Sequence, residues 1–173
     1  HSGARAQNDH TRNLDDEQLQ AIAKNNGVVQ CVALASFLKS NKEKDAAVNK
    51  LRDELGLSRS SKIELTAEQR ETNWEKLKEA RNQLNKLYPP ANVKDYCDHI
   101  EHIIKVAGID HVGIGSDFDG GGGITGWENA AESRNVTREL VRRGYSETDI
   151  QKIWSGNLLR VWRAVETVAA AQN

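Results

Sequence analysis

His111-Val112-Gly113-Ile114-Gly115-Ser116-Asp117-Phe118-Asp119-Gly120 is an apolar run that passes straight into a glycine-rich loop. It reads as a strand whose last residues deliver the Asp117 carboxylate to the C-terminal end, where α/β folds place their sites. Residue type alone leaves three uses open for that carboxylate: binding a metal, taking a proton, or capping the next segment. Asp117-Phe118-Asp119-Gly120 begins like a calcium loop, but Gly121 stands where a third oxygen ligand is required. The run from Gly120 to Gly123 lacks the Lys-Ser/Thr ending of a phosphate loop and is expected to form a mobile loop lip.

Upstream, Val28-Val29-Gln30-Cys31-Val32-Ala33-Leu34-Ala35 is a second apolar, β-branched run, the pattern of a parallel strand buried on both faces. Acidic residues open the segment 15–24, Lys24 closes it and Gly27 follows, so an amphipathic helix is expected there. A helix stopping at Gly108 precedes the quoted strand. Helices over 134–142 and 157–170, with a helix start at Ser146, follow it. The order helix, strand, helices, strand, helices predicts an α/β fold with a parallel sheet.

Residues 36–92 differ in character. They are rich in Lys, Glu, Asn and Gln, with apolar residues thinly spread. Thr66 to Gln69 has capping-box spacing, and Trp74, Leu77, Leu84 and Leu87 recur at helical intervals. Two charged helices, over 42–55 and 67–87, are expected as an insertion after the strand over 28–35. Packing by one narrow face is the bland reading of these helices, and a partner-binding hairpin is the alternative.

The chain has 173 residues, 24 Lys and Arg against 25 Asp and Glu, and a formal net charge of −1. That balance gives no electrostatic reason to bind nucleic acid or an acidic membrane. Two cysteines are too few for a disulfide scaffold or a cysteine-rich zinc site. Cys31 is expected to be a small buried hydrophobe. The four tryptophans are scattered and form no platform for stacking bases. No stretch reaches the ~18 consecutive apolar residues of a spanning helix. The chain opens His1-Ser2-Gly3 without a Met or a leader pattern, so it is expected to be processed or part of a longer protein, and its compartment stays unassigned. Two parallel strands make no self-sufficient domain, so further strands are expected from the N-terminal side.

Of the five histidines, His99 and His102 share a helix face, but Asp98 and Glu101 beside them suggest a solvated surface. His111 opens a strand at the end opposite the usual site, and His10 lies in a polar loop before Thr11-Arg12-Asn13. Spacing alone does not identify His1 as a ligand.

Three segments together resemble the C-terminal half of the renal-type (membrane) dipeptidases, zinc peptidases of the amidohydrolase barrel class. They are His1-Ser2-Gly3-Ala4 with Arg12-Asn13-Leu14-Asp15-Asp16, then Asp98-His99-Ile100-Glu101-His102-Ile103 leading into Asp117-Phe118-Asp119-Gly120. The third comprises Arg142-Arg143-Gly144-Tyr145-Ser146 and Gly156-Asn157-Leu158-Leu159-Arg160-Val161. The resemblance implies that residues 1–173 are the C-terminal portion of a (β/α)8 TIM-type barrel, with the charged helical insertion after its seventh strand. It implies that His1 ends the sixth strand as a zinc ligand, that Arg12 holds the substrate's terminal carboxylate, and that Asp117 ends the eighth strand and moves a proton. Phe37 falls where some members have a substrate-lining Tyr, making that contact apolar, and Gly3 replaces a common Ser.

Two zinc ions are implied, with the remaining ligands upstream of His1. The implied activity is hydrolysis of dipeptides, with tolerance of a D-residue at the C-terminal position. The expected partners are the dipeptide, the missing N-terminal half of the same barrel and a second copy in a homodimer, with no nucleic acid. The alternatives are an amidohydrolase acting on another small amide or lactam, and a catalytically inactive paralogue serving as a binding subunit.

Overall fold

The computed structural model describes residues 1–172. Strands β1 (Val29–Val32) and β2 (Val112–Gly115) pair in parallel, Val29 opposite Val112 and Val32 opposite Gly115. On the other edge of β1, Ser2 bridges Cys31, also in parallel; Ser2 N–H donates to Gln30 O and Val32 N–H to Ser2 O. Three parallel segments therefore lie side by side in the order Ser2, β1, β2. Both strands are shorter than their apolar runs. Residues 33–34 leave β1 for the short helix α2 (Ala35–Leu38), and His111 closes a 3-10 turn instead of opening β2. His111 Nδ1 lies 2.8 Å from Gly27 O, a structural contact at the strand's N-terminal end.

Helix α1 (Asp16–Lys24) starts from an Asp15–Gln18 capping box and buries Leu19. Helix α5 (Val93–Ala107) starts from an Asn92–Asp95 box and buries Tyr96, Cys97, Ile100 and Ile103 completely. These side chains join Val29, Cys31 and Val112 in one core, each fully buried large apolar group contributing about 1.5–3 kcal/mol. The Tyr96 hydroxyl donates to Cys31 O at 2.8 Å, so a buried polar group is satisfied by the strand it packs on. Burial pushes the Cys97 thiol up to about 12 and raises that of Cys31 further, making both inert hydrophobes.

Trp127 meets Tyr96, Phe118 and Trp154 at ring-centroid distances of 5.4, 5.6 and 6.2 Å. Two of the scattered tryptophans thus converge, as a core cluster. Helix α6 (Arg134–Arg142) buries Val136, Leu140 and Glu139. Arg142 first, then Arg143, hold the Glu139 carboxyl down at about 2, and Arg143 also pairs with Asp98 at 2.8 Å. Helix α7 (Glu147–Gln151) passes through a π-helical turn into α8 (Asn157–Ala171). Asn157 Nδ2 donates to Ile109 O and Val112 O, while the Arg160 guanidinium donates to Asn26 O and Asp110 O. The Gly-Asn-Leu-Leu-Arg segment is therefore a clamp on the loops below the strands. The α8 residues Leu158, Trp162, Val165 and Val168, spaced three or four apart, remain exposed.

Residues Ser40–Pro90 form a separate compact unit inside the stretch 36–92, whereas Phe37 and Leu38 are buried in the other unit. The separate unit contains helices over the expected spans, α3 (Lys42–Glu54) and α4 (Ala67–Leu87), the latter with a Thr66–Gln69 capping box. Asn73 Nδ2 donates to Leu55 O and Tyr88 OH to Glu43. Leu77 is buried, but Trp74 and Leu87 are exposed, so the apolar stripe of α4 is narrower than its periodicity suggests.

His99 departs most from its expected setting. It is 1% exposed, within the core. Ala4 N–H donates to its Nδ1 at 2.9 Å, and its Nε2–H donates to Leu38 O at 3.0 Å, which defines a neutral tautomer. Asp98 and Glu101 point instead to Arg143, so polar sequence neighbours and a buried imidazole coexist on adjacent faces of α5. Burial lowers the His99 pKa from its ordinary 6.5. The unfolded chain thus binds a proton more readily than the folded one, and stability falls as pH drops below about 6.5. Thermal denaturation between pH 7.5 and 5 should show Tm falling in that window, with a flatter profile for His99→Gln. Equal slopes for the two proteins would remove His99 as the cause.

Candidate active site

Each candidate residue sits on a segment adjoining the three parallel strands, and each is placed by a local device. Asp117 follows β2 by two residues and has φ 55°, in the left-handed region that Asp tolerates better than most side chains. Phe118 anchors the turn edge-on against Trp127, and Gly120 N–H and Gly122 N–H both donate to Asp117 O. A Cβ on Gly122 would lie 2.1 Å from Ser116 O and 2.6 Å from Asp117 O, both backbone atoms, so only glycine fits there. Gly123 N–H donates to Ala33 O. The expected loop lip is thus pinned at both ends by backbone hydrogen bonds.

His1 immediately precedes the Ser2 bridge. Its Nε2 lies 3.4 Å from Asp117 Oδ1, and its side chain is more exposed than that of Asp117. Ser2 Oγ donates to Arg12 O at 2.8 Å, tying the loop that carries Arg12 back to the start of the segment. The Arg12 guanidinium carbon stands 5.6 Å from the centroid of the Phe37 ring, a cation–π contact. Phe37 itself is only 6% exposed, held in α2 by its N–H donating to Leu34 O. The four residues singled out in the sequence therefore form two pairs, His1 with Asp117 and Arg12 with Phe37.

Two further residues matter, and their isolated sequence positions give little sign of it. Asn13 is buried; its Oδ1 accepts from Gly3 N–H, and its Nδ2 donates to Phe37 O and Asn8 O. It staples the His1 segment to the Phe37 segment. Gly3 is matched to this packing, since a Cβ there would lie 2.7 Å from His99 Nδ1 and 2.8 Å from Asn13 Oδ1. His10 stacks on the Phe37 ring at 4.4 Å.

An imidazole nitrogen and a carboxylate oxygen are donors that suit zinc. Among the described residues, however, no group of three or more His, Cys, Asp and Glu side chains could hold a metal ion. The pair fits part of a zinc site and requires further ligands. His102, the other helix histidine, contacts Asp16 at 2.6 Å and ties α5 to α1, away from this pair. No helix among the described residues is long and apolar enough to cross a membrane.

Dipeptidase 3 of Macaca fascicularis is 30% identical over 169 residues, covering 97% of this chain and 25% of that protein. The probable dipeptidase PvdM from Pseudomonas aeruginosa is similar in structure, with a TM-score of 0.70 and 37% identity over 94% of this chain and 43% of its own. A metallopeptidase from Rhodobacter sphaeroides, solved with a phosphinate mimic of the dipeptide L-Ala-D-Ala, gives a TM-score of 0.57 and 26% identity over 91% of this chain and 33% of its own. The chain thus spans a quarter or less of the curated relatives it matches, and under half of these solved chains. Its α/β fold is similar to that of the M19 dipeptidases. The family model for membrane dipeptidases (peptidase family M19) matches residues 1–173, the whole length, and the chain belongs to that family.

Proposed function

We propose that this chain supplies part of the active site of a zinc-dependent dipeptidase, as the C-terminal portion of a (β/α)8 barrel. The observation that carries the reading is the 3.4 Å approach of His1 Nε2 to Asp117 Oδ1, between residues at opposite ends of the parallel-strand region in sequence. The exposed apolar face of α8 and a sheet of only two paired strands support a barrel completed by further chain, because the first leaves apolar side chains uncovered and the second is too small to stand as a sheet of its own.

His1 is the residue of this chain that would hold zinc, with the other ligands and a second ion belonging to the rest of the barrel. When bound, zinc lowers the pKa of the attacking water and polarises the scissile carbonyl. Arg12 receives the substrate's terminal carboxylate, for which a planar guanidinium offers two parallel donors. Phe37 is the apolar floor that restricts the Arg12 side chain, so less rotamer freedom is lost when the carboxylate binds. Asp117 accepts the proton of the attacking water and returns it to the leaving amine nitrogen. A small dipeptide, including one with a D-residue at its C-terminal position, is the substrate class this arrangement suits.

The test uses the full-length protein. Chelation should abolish hydrolysis of free dipeptides and added zinc should restore it, while His1→Ala should lower the zinc content measured by elemental analysis. Full zinc content in His1→Ala would exclude His1 as a ligand. Zinc binding by the unmodified protein without turnover of any dipeptide would instead favour the inactive paralogue.

A further inference from the structure

The ring of Phe37 carries two groups. Arg12 lies over it at 5.6 Å and His10 is stacked on it at 4.4 Å, with an interplanar angle of 31°. His10 also touches Arg12 through the backbone, because Arg12 N–H donates to His10 Nδ1 at 3.2 Å. That bond occupies the Nδ1 lone pair, so a neutral His10 carries its proton on Nε2. Among the described residues, that Nε2–H has no protein partner. A half-buried donor of fixed tautomer, held on the same ring as a guanidinium, matches a ligand with two acceptor oxygens.

We propose that His10 is a second substrate-binding residue, whose Nε2–H donates to the terminal carboxylate that Arg12 receives. The inference rests on the dipeptidase reading above and deepens it, since the reading alone requires only the guanidinium. The His10 backbone is held on both sides. Its N–H donates to Asn8 O, and its carbonyl accepts from Asn13 N–H. Asn8 and Asn13 side-chain amides both donate to Phe37 O, so the loop is tied to its aromatic floor. Such a clasp recognises a carboxylate in preference to a carboxamide, whose single oxygen can meet one of the two protein donors while its NH2 is set against the other.

The experiment compares the zinc-loaded full-length protein with His10→Phe and His10→Ala, on a free dipeptide and on its C-terminal amide. His10→Phe keeps a ring on Phe37 and removes the donor. Both variants are expected to raise KM for the free dipeptide by about ten- to a hundredfold, the range for a hydrogen bond to a charged group. The kcat should stay within about twofold and amide hydrolysis should be unchanged. A wild-type KM in His10→Phe would overturn the donor role. Equal KM changes on free and amidated substrates would make His10 a structural support for Arg12 and overturn the proposal as well. Absence of dipeptide turnover by the unmodified protein is a separate outcome, which removes the dipeptidase reading and this inference with it.

Discussion

Asp117→Asn in the full-length protein is expected to lower kcat for dipeptides by about two to four orders of magnitude, the usual contribution of a positioned acid–base group. The substitution is nearly isosteric. The left-handed backbone at this position is as accessible to Asn as to Asp. The backbone bonds from Gly120 and Gly122 go to the carbonyl of residue 117, which the change does not touch. Loop geometry should therefore survive, and the loss can be assigned to the carboxylate. An amide cannot accept a proton from the attacking water, nor return one to the leaving nitrogen. Zinc content should remain that of the unmodified protein. Turnover within about threefold of the original would take Asp117 out of the proton path, whereas loss of zinc would reassign it as a ligand beside His1.

Arg12→Ala should act on binding. Its guanidinium is exposed apart from its contact with the Phe37 ring, and its backbone is held by Ser2 Oγ on the carbonyl and His10 Nδ1 on the N–H. Truncation removes the donor fork and leaves the loop anchored. KM for free dipeptides is expected to rise about a hundredfold or more, consistent with loss of a bidentate charge-assisted pair. The KM for C-terminal amides should be changed far less. Equal losses on both substrate types would sink the clamp role. Arg12→Lys should recover only part of the loss, because an ammonium is a point charge without the planar fork. Read with His10→Phe, this series separates the guanidinium's share of carboxylate recognition from that of the imidazole.

Much of the secondary structure was legible because it is set locally. The helices over 67–87 and 134–142 occupy their expected spans, and Thr66 and Ser146 cap the helices that follow them. Strand lengths were less legible. An apolar run records burial, and residues 33–35 are buried or half-buried while leaving the ladder for a helix. The histidines were least legible. Asp98 and Glu101 suggested a wet face around His99, but side chains one or two residues apart on a helix point in different directions. The imidazole turns to Ala4 and Leu38, while the carboxylates turn to Arg143.

By itself the sequence determined what depends on neighbours along the chain: the caps, the alternation of helix and strand, the charged character of 36–92, and the motif residues that mark the family. Only the tertiary structure decided which of those residues meet. His1 and Asp117 approach because Ser2 and β2 flank the same strand. Arg12 and His10 share the Phe37 ring because Asn13 bonds both their loop and the Phe37 carbonyl. Parallel strands impose that difference physically. Their partners are joined by long crossover connections, so the contacts that build a site are remote in sequence and carry no local signature.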